Sequence, residues 1–422
     1  MDRIYASSHV TICVLTSKSC QDGFLARPGH PRRIRLPFDP TAAANTSDEE
    51  VYELGHGAIY DDPAISRWNE SDLEYNVWNT RGWTFQEKLM STRRVYFGNS
   101  GLHFSCSNRL SSEYSGVEQE PQSLMLHNIL SFRGPTSLYQ AWYTHVAVPY
   151  STRKLTCTPD TLPAISGLAR HFARAASDDQ YVAGLWRRDL LHGLLWVLYH
   201  PPHNSLTDLV ESIVHPPVYI APSWSWAGKG RLSFFLQGRR DLLSRRTTQR
   251  AQLECEVLEV HATPRGYDEF GAVCQGSLTL ETHVCPLAPP GRYGWEPQRA
   301  DTNTDIGDYH WERPGQHIQT FSCYLDWKQA TTAGTAVWPR DVIMALVGSV
   351  KRDPSDGSTI NSSSSPPMLA EPFGLLLHPT PVADHYIRVG LFGPTVGQLK
   401  EDQERLRLQD FMNHTKQAII II

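Results

Sequence analysis

The sequence predicts an α+β protein built in three segments, and three observations carry that prediction. From Leu138 to about Tyr199 apolar residues recur at helical spacing; beyond His200 they alternate or form short β-branched runs; ahead of both lies a tryptophan-rich helical stretch that runs into a strand ending at Phe97. A period of 3.6 buries one stripe of a helix and a period of two buries one face of a strand, so a change of period marks a change of architecture. With 422 residues the chain exceeds one ordinary core. The expected division is a leading α/β segment over residues 1–112, a small helical unit over 113–205 and an antiparallel β-rich domain over 206–422. Flexible loops are expected at about 286–315 and 353–367, the second with a serine run from Ser362 to Ser365.

Taken in order, Val10 to Leu15 is a β-branched run that needs a partner strand, and Gln21-Asp22-Gly23 after it is turn chemistry. Pro37 to about Glu50 suits a loop. A helix capped by Ser71 or Asp72 is expected to run through Trp78 and Trp83 to Leu89, followed by strands at Val95–Phe97 and Leu102–Phe104 around Gly98–Gly101. Asp160 can cap a helix that tolerates Pro163 in its first turn and places Leu162, Ile165, Leu168, Ala169, Phe172 and Ala176 on one face. A second helix is expected from Asp189 to Tyr199. Pro222-Ser223-Trp224-Ser225-Trp226 alternates as a strand would, as do Leu278, Leu280, Thr282 and Val284. Val342–Val347 is apolar on both faces and suits a central strand. Phe373–Leu377 and Tyr386–Phe392 read as a hairpin, Gln398 to Met412 as a charged helix, and the final isoleucines as a buried strand.

The composition excludes several classes. A net charge of −5 gives no global field for nucleic acid, and the run from Arg239 to Arg246 has no interleaved aromatics on which bases could stack. Eight cysteines include no Cys-x-x-Cys pair, so no metal site is expected. The first residues lack the order of a signal peptide, and no apolar run nears the roughly 20 residues that span a bilayer. A reducing, cytoplasmic setting with free thiols is the expectation.

The densest chemistry lies in Arg81-Gly82-Trp83-Thr84-Phe85-Gln86-Glu87-Lys88-Leu89 and Arg93-Arg94-Val95-Tyr96-Phe97. Polar groups set in an aromatic surface are costly unless paired, so they mark a buried hydrogen-bond network or a site. This block resembles the closing signature of the fungal heterokaryon-incompatibility (HET) domain, roughly Arg-x-Trp-Thr-x-Gln-Glu-x-Leu followed by Arg-x-aliphatic-x-Phe. Further blocks resemble the family in order: Ile4-Tyr5 with Val10–Ile12 and Gly23–Leu25, then Leu162–Ala169, Ala183–Trp186, Ala221–Ala227, Phe270–Leu280 and Tyr386–Phe392. The family's opening blocks, Tyr-x-x-Leu-Ser-Tyr-x-Trp-Gly and Leu-Trp-Ile-Asp-x-Leu-Cys-Ile-x-Gln, do not occur. The expectation is therefore a HET domain lacking its N-terminal half, with Met1 not necessarily the natural start.

The resemblance implies a remnant of an α/β sheet like that of Toll/interleukin-receptor (TIR) domains, and a cytoplasmic fungal protein of non-self recognition that promotes programmed cell death through contacts with other proteins. It leaves two alternatives: a TIR-like enzyme that hydrolyses NAD as substrate, no bound cofactor being expected, or an inactive fragment. The motif residues are Arg81, Trp83, Gln86, Glu87 and Arg94. In the enzymatic reading Glu87 is the catalyst, its carboxylate stabilising oxocarbenium-like charge on the ribose. The stronger reading has Glu87 paired with Arg81, Arg93 or Arg94, tying helix to strand.

Other constellations are weaker. His103 and Cys106 fall on opposite faces of a strand, so a nucleophile and base do not meet. His200, His203 and His215 have no acid or cysteine at ligand spacing, and Gly228-Lys229-Gly230 lacks the rest of a phosphate loop. Trp224 and Trp226 could form a ligand platform but suit a core anchor better.

Overall fold

The strand that opens the chain finds its partner far along it: Thr11–Val14 pairs in parallel with Arg93–Phe97, Ile12 opposite Val95. The structure is a computed structural model that describes residues 2–19, 21–25, 34–37, 51–54, 73–99, 101–113, 115–119, 125–131, 135–234, 251–287, 292–297, 306–312, 318–328, 341–351, 370–394 and 403–422. The chain divides into two units. The first is Met1–Ser131 with Arg153–Leu155, and the second is Phe132–Thr152 with Thr156–Ile422.

In the first unit the parallel pair continues into antiparallel strands Leu102–Cys106, Leu110–Ser112 and Ser115–Gln119. Among the described residues Cys13, Leu15, Trp78 and Tyr96 form one apolar cluster in it, with Trp78 edge-on to Tyr96 at 6.0 Å. The expected single helix to Leu89 is two pieces, Val77–Thr80 and Trp83–Met90. Asn76 caps the first by accepting from the Asn79 N–H at 2.8 Å, while Ser71 and Asp72 lie outside the described residues. The break at Arg81–Gly82 has a cause that the local sequence does not show. Lys154 donates its N–H to Thr80 O at 2.6 Å and accepts from the Gly82 N–H at 2.8 Å, so a distant segment takes over the helix's bonds. Any side chain at Gly82 would run into Leu155.

The second unit packs helices and turns around a tryptophan core. Trp142, Trp186, Trp196, Trp224 and Trp226 are all 1% exposed or less. The helix Pro135–Trp142 widens to a π turn over Tyr143–Ala147 before Val148–Ser151, in which Pro149 has no N–H to donate. The predicted face from Leu162 to Ala176 is buried throughout, on a 3-10 turn at Pro163–Ile165 and the helix Ser166–Ala175. Asp160 lies in its own 3-10 turn, Thr158–Asp160, rather than capping that helix. The strands Tyr181–Val182 and Leu185–Trp186 join through Ala183 and Gly184, whose φ values of 48° and 98° are those of a tight hairpin turn. Side chains pin that turn: Ser225 Oγ donates to Ala183 O at 2.5 Å, and the indoles of Trp142 and Trp226 donate to Gly184 O at 3.0 and 2.9 Å.

Two expectations fail here. The helix expected over Asp189–Tyr199 stops at Gly193, and Trp196–Leu198 is a strand paired with Leu232–Phe234. Leu194 to Leu198 is buried on every side, and such a run has no period from which to choose helix or strand. Pro222 to Trp226 forms turns rather than a strand, with both indoles in the core.

In the β-rich part five strands close on themselves. Val273–Pro286 pairs with Ile343–Lys351, which pairs with Ala370–Pro379, then His385–Gly393, then Lys416–Ile421, which returns to Val273–Pro286. Closure removes the free edges of these strands. The last strand is the isoleucine tail, with Ile419 and Ile421 buried and paired opposite Leu280 and Leu278. Val342–Val347 and the 373–392 hairpin are central as expected. The stretch 286–315, expected as a loop, contains the paired strands Arg292–Pro297 and Ile306–Glu312; their aromatic and turn residues alternate too irregularly to read as strands in advance. Of the charged helix from Gln398, Leu408–Met412 is helical and Gln403–Arg405 is a strand beside Ile318–Leu325. Residues 38–50, 235–250 and 353–367 lie outside the described residues.

Candidate functional site

The signature block is held together by Arg94. Its side chain is fully buried; Nη1 donates to Lys88 O at 2.6 Å and Nη2 to Ser105 Oγ at 3.2 Å, and the guanidinium lies 5.8 Å from the Tyr96 ring centre. A guanidinium on the last-turn carbonyls of Trp83–Met90 satisfies an acceptor the helix cannot and complements its dipole. Arg94 thus ties that helix to the sheet.

Arg81 stands at the helix break, where its Nη2 donates to Lys18 O at 2.9 Å. Trp83 opens the second helix, half-buried, and Gln86 is 2% exposed on its inner side. Thr84 Oγ1 donates back to Trp78 O at 2.5 Å, binding the two helical pieces. Arg153 covers Phe85, its guanidinium 5.0 Å from the ring centre, and reaches Asn79 Oδ1 at 3.4 Å.

Glu87 is half-buried, and its carboxyl is held above the usual carboxylate range by burial. A hydrogen bond from Tyr5, on the helix Asp2–Ser7, opposes that rise, as does the charge of Arg81. Of the three arginines considered as its partner, Arg81 is the one whose charge bears on it, while Arg94 is turned to Lys88 and Ser105. Burial, with the same bond, pushes the Tyr5 hydroxyl far up. Beneath it runs a row of hydroxyls: Ser8 donates to Tyr5 O at 2.8 Å, Ser8 and Thr11 are 3.1 Å apart, Thr11 and Ser91 2.7 Å, and Ser91 donates to Glu87 O at 2.7 Å. Three protons serve four contacts, so Thr11 donates to either Ser8 or Ser91 at one time.

Beside this row, burial followed by the charges of Arg153 and Arg94 pulls the Lys88 amine down to about 8, and burial pushes the Cys13 thiol up to about 12. Cys13 is thereby an inert thiol, a poor nucleophile at neutral pH. The arrangement offers one carboxyl that holds its proton more readily than usual and one amine that releases it more readily. Tyr5, Lys88 and the Thr11–Ser91 contact escaped the sequence reading. The one available signal was a β-branched strand carrying a threonine at an inward position.

The remaining candidates stay apart. His103 is buried with Nδ1 2.6 Å from Ser112 Oγ, and Cys106 lies half-buried at the other end of the strand. His203 meets Ser212 Oγ at 3.4 Å. Among the described residues no group of three or more metal-ligating side chains occurs, and no helix is long and apolar enough to cross a membrane.

Residues 1–87 match the family model described as heterokaryon incompatibility protein (HET). The start of this chain is similar to the HET family. The HET match ends on Glu87, so it takes in Tyr5, Thr11, Arg81, Trp83 and Gln86 and stops short of Arg94. No curated protein and no solved structure matches the chain. The HET segment points to a function related to heterokaryon incompatibility.

Proposed function

We propose that this chain is a non-self recognition protein of a filamentous fungus that promotes programmed cell death on meeting an incompatible protein partner in the cytoplasm. The observation that supports this reading is the HET match over residues 1–87. The parallel pairing of Thr11–Val14 with Arg93–Phe97 supports a TIR-like α/β remnant within 1–112, since parallel strands belong to crossover architectures. In this reading Arg94 and the Ser8–Thr11–Ser91 row are positioning groups that hold the HET segment's helix in place. The test is inducible expression in a filamentous fungal host with a count of viable cells. Death with the parent chain and survival with Arg94→Ala support the reading, and full viability with the parent chain overturns it.

A second reading is favoured by Glu87 alone, because a half-buried carboxyl with a raised pKa beside a phenol is an arrangement found in acid and base catalysis. In it the segment hydrolyses NAD. Incubating purified protein with NAD decides it. Turnover abolished by Glu87→Ala supports Glu87 as the catalyst, and turnover that survives the substitution removes it.

A further inference from the structure

In the second unit a cavity of about 950 Å³ opens beside Trp196, the helix Leu206–Val214 and the loop through Lys229. Its size lies within the range of small-molecule sites, and most of its wall is apolar, with Tyr219, Ile220, Pro222 and Ile387 among the lining residues. Its polar groups are few and specific. Arg388 is 1% exposed and Asp326 4%. Arg388 Nη1 donates to Asp326 Oδ2 at 2.6 Å and Nη2 to Trp196 O at 2.5 Å, while its backbone N–H donates to Ser223 Oγ at 3.0 Å.

Three groups on this wall are left over among the described residues: Asp326 Oδ1, Arg388 Nε and the Lys229 ammonium. Asp326 Oδ1 is buried and has no hydrogen-bond partner among the described residues. Buried polar side-chain atoms are nearly always paired, so an orphan on a residue that lines a cavity calls for an account. The Lys229 ammonium, on the same cavity, makes no hydrogen bond or ion pair with the described residues, although the charges of Asp326 and Arg388 both act on it. Its loop is shaped by Gly228 and Gly230, with φ of 76° and 106°, conformations that side-chain-bearing residues rarely adopt. The nearby Ile422 main-chain oxygen is already taken by the N–H and hydroxyl of Ser223.

The Lys229 cation and the Asp326 acceptor, set beside Arg388 on an apolar cavity, define the complement. We propose that this cavity binds a small amphipathic acid, its anionic group on Lys229, an adjacent N–H or O–H donating to Asp326 Oδ1, and its apolar body against Tyr219, Ile220 and Ile387. Arg388, on the same cavity, holds Asp326 through Oδ2, so the acceptor is oriented before the ligand arrives. The assignment is independent of how the HET segment acts.

The test uses the full chain and a short series of N-acetyl amino acids, those of tryptophan, phenylalanine and leucine, which carry a carboxylate, a neighbouring N–H and an apolar body. Each is compared with its methyl ester, which lacks the charge, by calorimetry and saturation-transfer NMR. At least one acid is expected to bind ten or more times more tightly than its ester. Lys229→Met should weaken the acid by ten-fold or more and leave the ester unchanged, while Lys229→Arg, which keeps the charge, should retain the preference. Failure of every acid to bind at millimolar concentration overturns the proposal. So does equal binding of acid and ester, or an acid affinity that Lys229→Met leaves intact in a folded protein.

Discussion

Arg388 lies over Trp196 with its guanidinium carbon 3.2 Å from the ring centre, and donates to that residue's own carbonyl oxygen at 2.5 Å. The contact joins the strand His385–Gly393 to Trp196–Leu198, and so joins the closed β part to the tryptophan core. A guanidinium is weakly hydrated and planar, which makes it the cation best suited to such a buried position. Its remaining charge is met by Asp326 at 2.6 Å.

Removing one member of that pair strands the other. Arg388→Met is expected to destabilise the second unit by about 3–5 kcal/mol, because Asp326 stays buried without its hydrogen-bonded counter-charge. Arg388→Met combined with Asp326→Leu should recover much of the loss. Urea unfolding of the parent, the single variants and the double variant measures this. A double variant as unstable as the sum of the singles contradicts it.

Gly184 is a position where backbone and packing forbid a side chain together. Its φ is 98°, and a Cβ there would stand 3.0 Å from the Trp226 ring. Gly184→Ala should cost at least about 1–2 kcal/mol, since a left-handed residue with a side chain alone costs that much. Tryptophan fluorescence through a denaturant titration reads the change directly. A stability equal to the parent's rules the account out.

The lowered amine of Lys88 makes the first unit's stability depend on pH. Its folded value is about 8 against roughly 10.4 when unfolded, so between those values the unfolded chain binds more protons. The penalty for the charged amine is therefore present in full below pH 8 and is relieved as pH rises from 8 towards 10.4. Arg153, Arg94, Glu74 and Cys13 also act on this amine, and they remain in the variant, so they largely cancel in a comparison. Lys88→Met should stabilise the first unit at pH 7 relative to the parent, with the advantage shrinking towards pH 10. Melting curves at both pH values test it, and a difference that does not change with pH counts against it.

Local stability should be uneven. Among the described residues the first unit has a cluster of Cys13, Leu15, Trp78 and Tyr96, whereas the β part is built around a larger one that includes Phe321, Met344, Leu376, Val389 and Phe411. Amide protons of Thr11–Val14 and Arg93–Phe97 are expected to exchange before those of Ile343–Lys351 and Ala370–Pro379. Pulsed hydrogen exchange showing equal protection would refute this.

Much of the β part was legible in advance. Val342–Val347, the 373–392 hairpin and the terminal isoleucines each carry a period or a run that a closed sheet requires. What misled were segments in which local pattern and distant contacts compete. Leu194 to Leu198 is apolar on every side, so only Leu232–Phe234 decides that Trp196 lies in a strand. Arg81–Gly82 reads as helix interior until Lys154 arrives to take its hydrogen bonds.

By itself the sequence determined the HET resemblance of its first 87 residues, because a signature is a property of residue order. It also determined the β character of Val342–Val347 and of the 373–392 hairpin, because such apolar runs suit strands. The tertiary structure alone decided that Arg94 serves Lys88 and Ser105, that Tyr5 is the group on Glu87, and that Asp326, Arg388 and Lys229 share one cavity. Those partners lie on different elements, and no local rule relates residues that only the fold brings within hydrogen-bond reach.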